Sequence, residues 1–294
     1  MAYRSSSDDD SSTSELLTPA WIEESIAGGS LKQVDLSTGT NGWASPPGNL
    51  FNLRSKSYFT KKHKSPSGEY LLAPVGVDWL KSTSKLDNVL ARPDNRVMNA
   101  LRREQETLGT SRKSFLFAVN LQIPGRDHHS AVFYFAAVEP IIDHNSLLYK
   151  FVNGDNAFRN GRFKIVNRIV KGPWIVKTGL GSHSSCLLGK ALRIDYHRGE
   201  NYLEIDVDIG SSAIASAILH LALGCVTSVV IDLGFVVEAQ KEEELPEKLI
   251  GAVRVCQMEM SSATVVEAVS PPVKRGLGFA KVENHQDYEE EEED

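Results

Sequence analysis

No asparagine in this chain of 294 residues stands two positions before serine or threonine, so no N-glycosylation acceptor is present. Cysteine is scarce, at three, and Cys186, Cys225 and Cys256 show no CxxC spacing. An odd number of thiols in apolar or small-residue contexts reads as buried cysteines in a reducing compartment and excludes a disulfide scaffold. The first fifteen residues, MAYRSSSDDDSSTSE, hold no apolar stretch and exclude a secretory signal peptide. The expected location is the cytoplasm, including the periphery of membranes, with no secretion.

Long hydrophobic runs are equally rare. Residues 209–231, IGSSAIASAILHLALGCVTSVVI, are without formal charge and long enough to span a bilayer. Six serine, threonine and histidine residues dilute the run, and Asp208 and Asp232 flank it where a basic flank is usual. The expectation is a helix packed inside the domain, followed by a buried strand.

Acids are missing from two stretches. Between Asp155 and Asp195 there is none, against eight bases: Arg159, Arg162, Lys164, Arg168, Lys171, Lys177, Lys190 and Arg193. Residues 54–64 add Arg54, Lys56, Lys61, Lys62 and Lys64, again without an acid. Residues 195–260 reverse the balance, with twelve acids and four bases. The formal charge of −6 hides this segregation, because removing residues 1–15 and 283–294 leaves 31 bases against 26 acids. A basic body between acidic ends is drawn to phosphates or acidic lipids, and its own ends can screen it.

A Ser/Asp-rich tail of low complexity is expected over residues 1–15, one domain over 16–270 and an extended acidic tail over 271–294. TPAWIEESIAGG reads as a short helix stopped by glycines, and RPDNRVMNALRREQETLG as a helix capped at Asp94 or Asn95 and ended by Gly109. SFLFAVNLQIP and SAVFYFAAVEP, joined by GRDHH, predict a hairpin at a sheet centre. RFKIVNRIV is a strand candidate, and KGP turns it into WIVKT. In ALRIDYHRGENYLEIDVDI the strict alternation predicts a hairpin strand with one wet face, Glu204, Asp206 and Asp208, and one buried face. Ser211 or Ser212 caps the apolar helix of 213–223, and SVVIDLGFVV and LIGAVRVCQM are further strands. The fold class is α+β: a largely antiparallel, curved sheet packed on a few helices.

Catalytic signals are weak. GLGSHSSCLLGK has Ser184 at the first glycine position of a phosphate loop and Ala191 after the lysine, which breaks the pattern and leaves a flexible turn. Cys186 and His183 lack an orienting carboxylate. Asp127, His128 and His129 with Asp143 and His144 offer metal ligands, but adjacent histidines on a strand face opposite ways, so a polar hairpin tip is the better reading. A hydrolase or transferase using His128, His129 or His183 finds no nucleophile–base–orienter set. No catalytic residue, metal ligand or cofactor is assigned.

The aromatic residues Tyr58, Phe59, Phe158, Phe163 and Trp174 interleave with the basic stretches, as at lipid interfaces and on nucleic-acid stacking surfaces. No RNA-module signature occurs, so no nucleic acid is expected. The candidate headgroup-binding residues are Arg54, Lys56, Lys61, Lys62, Lys64, Arg159, Arg162, Lys164, Arg168 and Lys171, with Tyr58 and Phe59 as interfacial aromatics. KKHK alone would be the solvated end of a hairpin, and acquires meaning only if other cations join it.

Longer strings, NGWASPPGNLFNLRSKSYFTKKHKSPSGEYLL, PVGVDWLKS, RPDNRV, GDNAFRNGRFKIVNRIVKGPWIVK, YHRGENYLEIDVDIGSS and VIDLGFVVEAQ, closely resemble the C-terminal domain of plant ENHANCED DISEASE RESISTANCE 2-like proteins over about residues 19–268. Longer members place this domain after a pleckstrin-homology and a START domain, neither of which is expected here. The resemblance implies a plant protein, association with lipids or membranes, and restraint of defence and cell-death responses. It carries over no catalytic motif. Two function classes follow: a non-enzymatic module that binds anionic lipid surfaces, or an adaptor whose basic body binds an acidic protein partner or its own acidic tail.

Overall fold

A computed structural model describes residues 18–267 apart from 110–113, 138–140, 142 and 182. The tails expected over 1–15 and 271–294 lie outside the described residues. Helix α1 (Ala20–Ala27) leads through β1 (Lys32–Gln33) and β2 (Gly42–Ala44) into an arm built of β3 (Asn52–Arg54), the single turn α2 (Tyr58–Lys61) and β4 (Lys64–Pro66). There follow β5 (Ala73–Ser82), α3 (Arg96–Leu108), β6 (Phe115–Ile123) and β7 (His128–Ala137). Next come α4 (Leu147–Asn153), α5 (Asn156–Asn160), β8 (Phe163–Lys171), α6 (Trp174–Leu180), β9 (His183–Leu187) and α7 (Leu188–Ala191). The hairpin β10 (Arg193–Arg198) and β11 (Tyr202–Asp208), helix α8 (Ala213–Leu223), β12 (Val230–Val237), β13 (Leu249–Cys256) and β14 (Thr264–Val265) complete the described chain.

The class is α+β with largely antiparallel pairing, as the alternation implied. Two six-stranded sheets replace the single curved one: β10-β11-β6-β7-β5-β14, with the aromatic hairpin β6/β7 at its centre, and β1-β2-β13-β12-β8-β9. Parallel pairing occurs at β1–β2, β6–β11 and β5–β14. The inner faces meet through tilted, edge-on and stacked rings, Phe133, Phe135 and Phe163 lying 5.8–6.0 Å from Phe235. Gly251 permits this approach, because a Cβ there would sit 2.3 Å from the Phe135 ring.

The first sheet's outer face is covered by α1 and α3, where Trp21, Ile22, Val97 and Leu101 bury Val75, Leu116 and Tyr134. Asn95 caps α3 by accepting from the Met98 amide at 2.8 Å, and Gly109 ends it at φ +56°. Asn95→Ala is expected to cost about 1 kcal/mol, read as a lowered denaturant midpoint with unchanged slope.

Several local expectations change in tertiary context. WIVKT forms α6, and the glycine-rich stretch after it forms β9 and α7 rather than a flexible turn. Helix α8 is capped by Ser212 as expected, but none of its residues is fully buried, so it lies on the surface. Cys256 is buried, Cys225 half-buried and Cys186 exposed on β9.

Strand β11 has no wet face. Glu204 and Asp206 are buried because residues 86–90 cover them and supply donors. Among the described residues, no helix is long and apolar enough to cross a membrane.

Candidate functional site

The arm is fixed at its base and charged at its tip. Phe51 and Leu53 are buried on Val166, Val236, Leu249 and Ala252, the outer face of the second sheet. Arg54 locks the end of β3, donating to the Ala239 carbonyl at 2.6 Å and pairing with Glu238 at 2.9 Å. Its backbone amide donates to Glu247 at 3.1 Å.

Beyond Arg54 the Ser55 amide donates to the His63 carbonyl at 3.2 Å, which closes the loop, and Lys62 ends α2 at φ 52°. Lys56, Lys61, Lys62, His63 and Lys64 are all exposed on this closed loop. Among the described residues none of these four lysines has a carboxylate within ion-pair distance. Tyr58 and Phe59 meet edge to face at 5.8 Å, with the Lys62 ammonium 5.4 Å from the Tyr58 ring. The tip therefore combines unneutralised ammonium groups with half-exposed aromatics.

The second basic stretch is placed differently. Arg159 is buried, donating to the carbonyls of Phe151 at 3.0 Å and Val152 at 2.8 Å, so it caps the C-terminus of α4. Arg162 is buried against the Glu238 carbonyl and the Glu244 carboxylate, 2.7 Å away. Lys164 is buried on Glu247 at 2.7 Å and Glu238 at 3.5 Å. Arg168 lies on Asp232 at 2.7 Å. Lys171 alone of these five is exposed.

The two basic stretches do meet, at Glu238 and Glu247, but through carboxylates that neutralise Arg54 and Lys164 rather than as one exposed patch. Of the ten candidate cations, five reach solvent freely: Lys56, Lys61, Lys62, Lys64 and Lys171. A count of charge along the sequence missed the pairing because the acids come from residues 232–247, brought alongside β8 by the register of β12.

Two further charged clusters were not legible in the sequence as sites. Asp232, fully buried, receives Arg254 at 2.6 Å and Arg168 at 2.7 Å, its two neighbours across β13 and β8. Glu204 accepts from the Val89 and Leu90 amides at 2.6 and 2.7 Å. Asp206 accepts from the Asn88 amide and the Asn120 side chain, and pairs with His197 at 2.9 Å. Burial first, and then the Asp206 charge, push Glu204 well above the usual carboxylate range. The Asp206 hydrogen bond raises His197 above its usual 6.5.

Both shifts have the same sign. A group whose folded pKa is raised gives stability that is complete below its unfolded pKa and lost as pH rises toward the folded one. For Glu204 the loss starts near 4.5, and for His197 near 6.5. The wild-type melting temperature is expected to fall relative to Glu204→Gln as pH rises from 5 to 8. The stability difference changes by up to about 1.4 kcal/mol per pH unit while the folded chain holds one extra proton. Parallel melting curves against pH would remove the assignment.

A cleft of about 480 Å³ lies between Lys85, Gln122, His128, His129, Arg193 and Asp208. His129 stacks on Trp79 at 4.9 Å, and burial lowers its pKa. Among the described residues no group of three His, Cys, Asp or Glu side chains is arranged to hold a metal ion. His183 and Cys186 are three residues apart on the extended β9, so their side chains leave opposite faces.

The family model for "Protein ENHANCED DISEASE RESISTANCE 2, C-terminal" matches residues 43–259. An Arabidopsis thaliana protein named "Protein ENHANCED DISEASE RESISTANCE 2-like" is 43% identical over 244 residues, covering 83% of this chain. The chain spans only 32% of that relative's length. No solved structure matches. The matched span runs from β2 through the arm and both sheets to the end of β13, and the chain belongs to the family of ENHANCED DISEASE RESISTANCE 2 C-terminal domains.

Proposed function

We propose that this chain is a non-enzymatic module of the cytoplasm that binds membranes peripherally, holding anionic lipid headgroups at the tip of its arm. The observation that carries this reading is the tip itself: Lys56, Lys61, Lys62 and Lys64 exposed together, without carboxylate partners among the described residues, beside Tyr58 and Phe59. Near an anionic surface each such lysine contributes about 1 kcal/mol, and the rings suit the headgroup level. Arg54, Arg162, Lys164 and Arg168 serve the site by fixing the platform under the arm. Family membership supports the accompanying proposal of a role in restraining plant defence and cell-death responses.

Co-sedimentation with vesicles tests it. Binding is expected to phosphatidylserine or phosphoinositide vesicles above neutral ones, weaker at physiological than at low salt. Equal binding to neutral vesicles, or none to any, overturns the headgroup reading.

A second reading is favoured by one observation: eight acids and no Lys or Arg from Glu283 onward. The same tip then binds an acidic partner, including the chain's own C-terminal segment. Deleting residues 283–294 strengthens vesicle binding if that segment occupies the tip, and leaves it unchanged if not.

A further inference from the structure

Val170, Trp174, Ile175 and Ile214 are large apolar side chains left exposed on or beside the helix pair α6–α8, with Trp174 and Ile214 each 75% exposed. The pair is packed together, Gly179 of α6 lying against Leu221 of α8. Val176 is buried with Ile169 and Val229, which turns Trp174, Ile175 and Lys177 outward. On α8, Leu219 and Leu223 face the main core, while Ala213, Ile214, Ala217 and His220 are exposed at spacings of three and four. A monomeric protein seldom leaves such side chains in water without use.

Charge identifies the occupant. Lys171 and Lys177 are exposed three residues on either side of Trp174, no acid occurs between Asp155 and Asp195, and residues 209–231 carry no formal charge. A second copy seated here would bring the same lysines together. An anionic bilayer instead accepts the indole at its interface and the ammonium groups on its phosphates. With seven and eleven residues, neither helix can span, so the pair would lie in the interfacial plane.

We infer that the outer face of α6 and α8, centred on Trp174 and Ile214, is a second membrane contact that inserts apolar side chains into an anionic bilayer. This rests on the peripheral-membrane reading above but not on the arm. The arm is anchored at the Lys164 end of β8, and α6 leaves the Lys171 end, about 23 Å away at 3.3 Å per residue. The two contacts are therefore separable by mutation.

The chain carries its own reporter. Trp21, Trp43 and Trp79 are buried, so Trp174 alone among the four tryptophans meets a bilayer. With phosphatidylserine vesicles whose acyl chains are brominated, tryptophan emission is expected to be quenched, and Trp174→Phe to abolish the quenching. The pair Trp174→Ser and Ile214→Ser is expected to weaken the binding that survives high salt about tenfold or more. Co-sedimentation without quenching overturns insertion and leaves the arm reading standing. Quenching that persists at high salt in the Lys61, Lys62 and Lys64 to Glu variant supports insertion as a contact independent of the arm. Absence of quenching together with a dimer that Trp174→Ser dissociates assigns the face to a second copy and overturns the inference.

Discussion

Replacing Lys61, Lys62 and Lys64 by glutamate is expected to lower binding to anionic vesicles by about 100-fold or more at low salt, with the melting temperature unchanged. Three lysines at about 1 kcal/mol each give about 3 kcal/mol, and a tenfold change in affinity corresponds to about 1.4 kcal/mol. Charge reversal adds repulsion to the lost attraction. The fold should not respond, because these side chains are exposed on a loop closed by backbone hydrogen bonds and have no carboxylate partner among the described residues. Arg162→Glu and Lys164→Glu provide the contrast: both destabilise the protein by replacing a buried cation with a fourth carboxylate beside Glu238, Glu244 and Glu247. Co-sedimentation and thermal unfolding of the same samples separate the two effects. A triple variant that binds as tightly as wild type would show that the tip is only the solvated end of a hairpin.

Asp232→Ala should produce the largest loss of stability among single charge changes. Its carboxylate is fully buried between Arg168 and Arg254, and Arg254 also donates to the Leu36 carbonyl at 2.8 Å. The carboxylate in turn raises the pKa of Arg254, chiefly through their hydrogen bond. Removing it leaves one well-buried guanidinium and one half-buried one without an anion, at a cost of about 3–5 kcal/mol. For a domain of this size that is a fall in melting temperature of about 6–20 °C. Replacing all three residues together, with Arg168→Met, Asp232→Leu and Arg254→Met, should recover much of the loss, since no buried charge is then unpaired. A melting point for Asp232→Ala within about 2 °C of wild type would mean that water reaches the cluster and screens it.

Both outcomes bear on what a charge pattern can say. The stretch from Arg159 to Lys171 is acid-free and looks like a binding surface, yet four of its five cations are tied to carboxylates or carbonyls. The arm carries a similar local excess, and there Lys56 to Lys64 do project freely. Composition does not distinguish them. The difference is that β8 lies between β9 and β12 with its outer face under the arm, whereas the lysines of the arm's tip are exposed.

Legible in the sequence were the features set by neighbours along the chain. Apolar runs rich in aromatic and branched residues marked β6 and β7 as a central hairpin, the pairs Asp94/Asn95 and Ser211/Ser212 marked helix starts, of which Asn95 and Ser212 make the cap, and Gly109 marked a stop through its left-handed backbone. The family strings were legible too, because identity needs no structure.

The rest depended on what came to lie opposite. Glu204 and Asp206 alternate with apolar residues as a wet face would, and only the covering segment 86–90, with its free amides, makes their burial tolerable. Helix α8 is apolar enough for an interior, yet two sheets filled by stacked phenylalanines leave it at the surface beside Trp174. Local periodicity fixes which side chains share a face. Whether that face meets water, a carboxylate or another sheet is decided by segments scores of residues away, and only the tertiary structure brings them together.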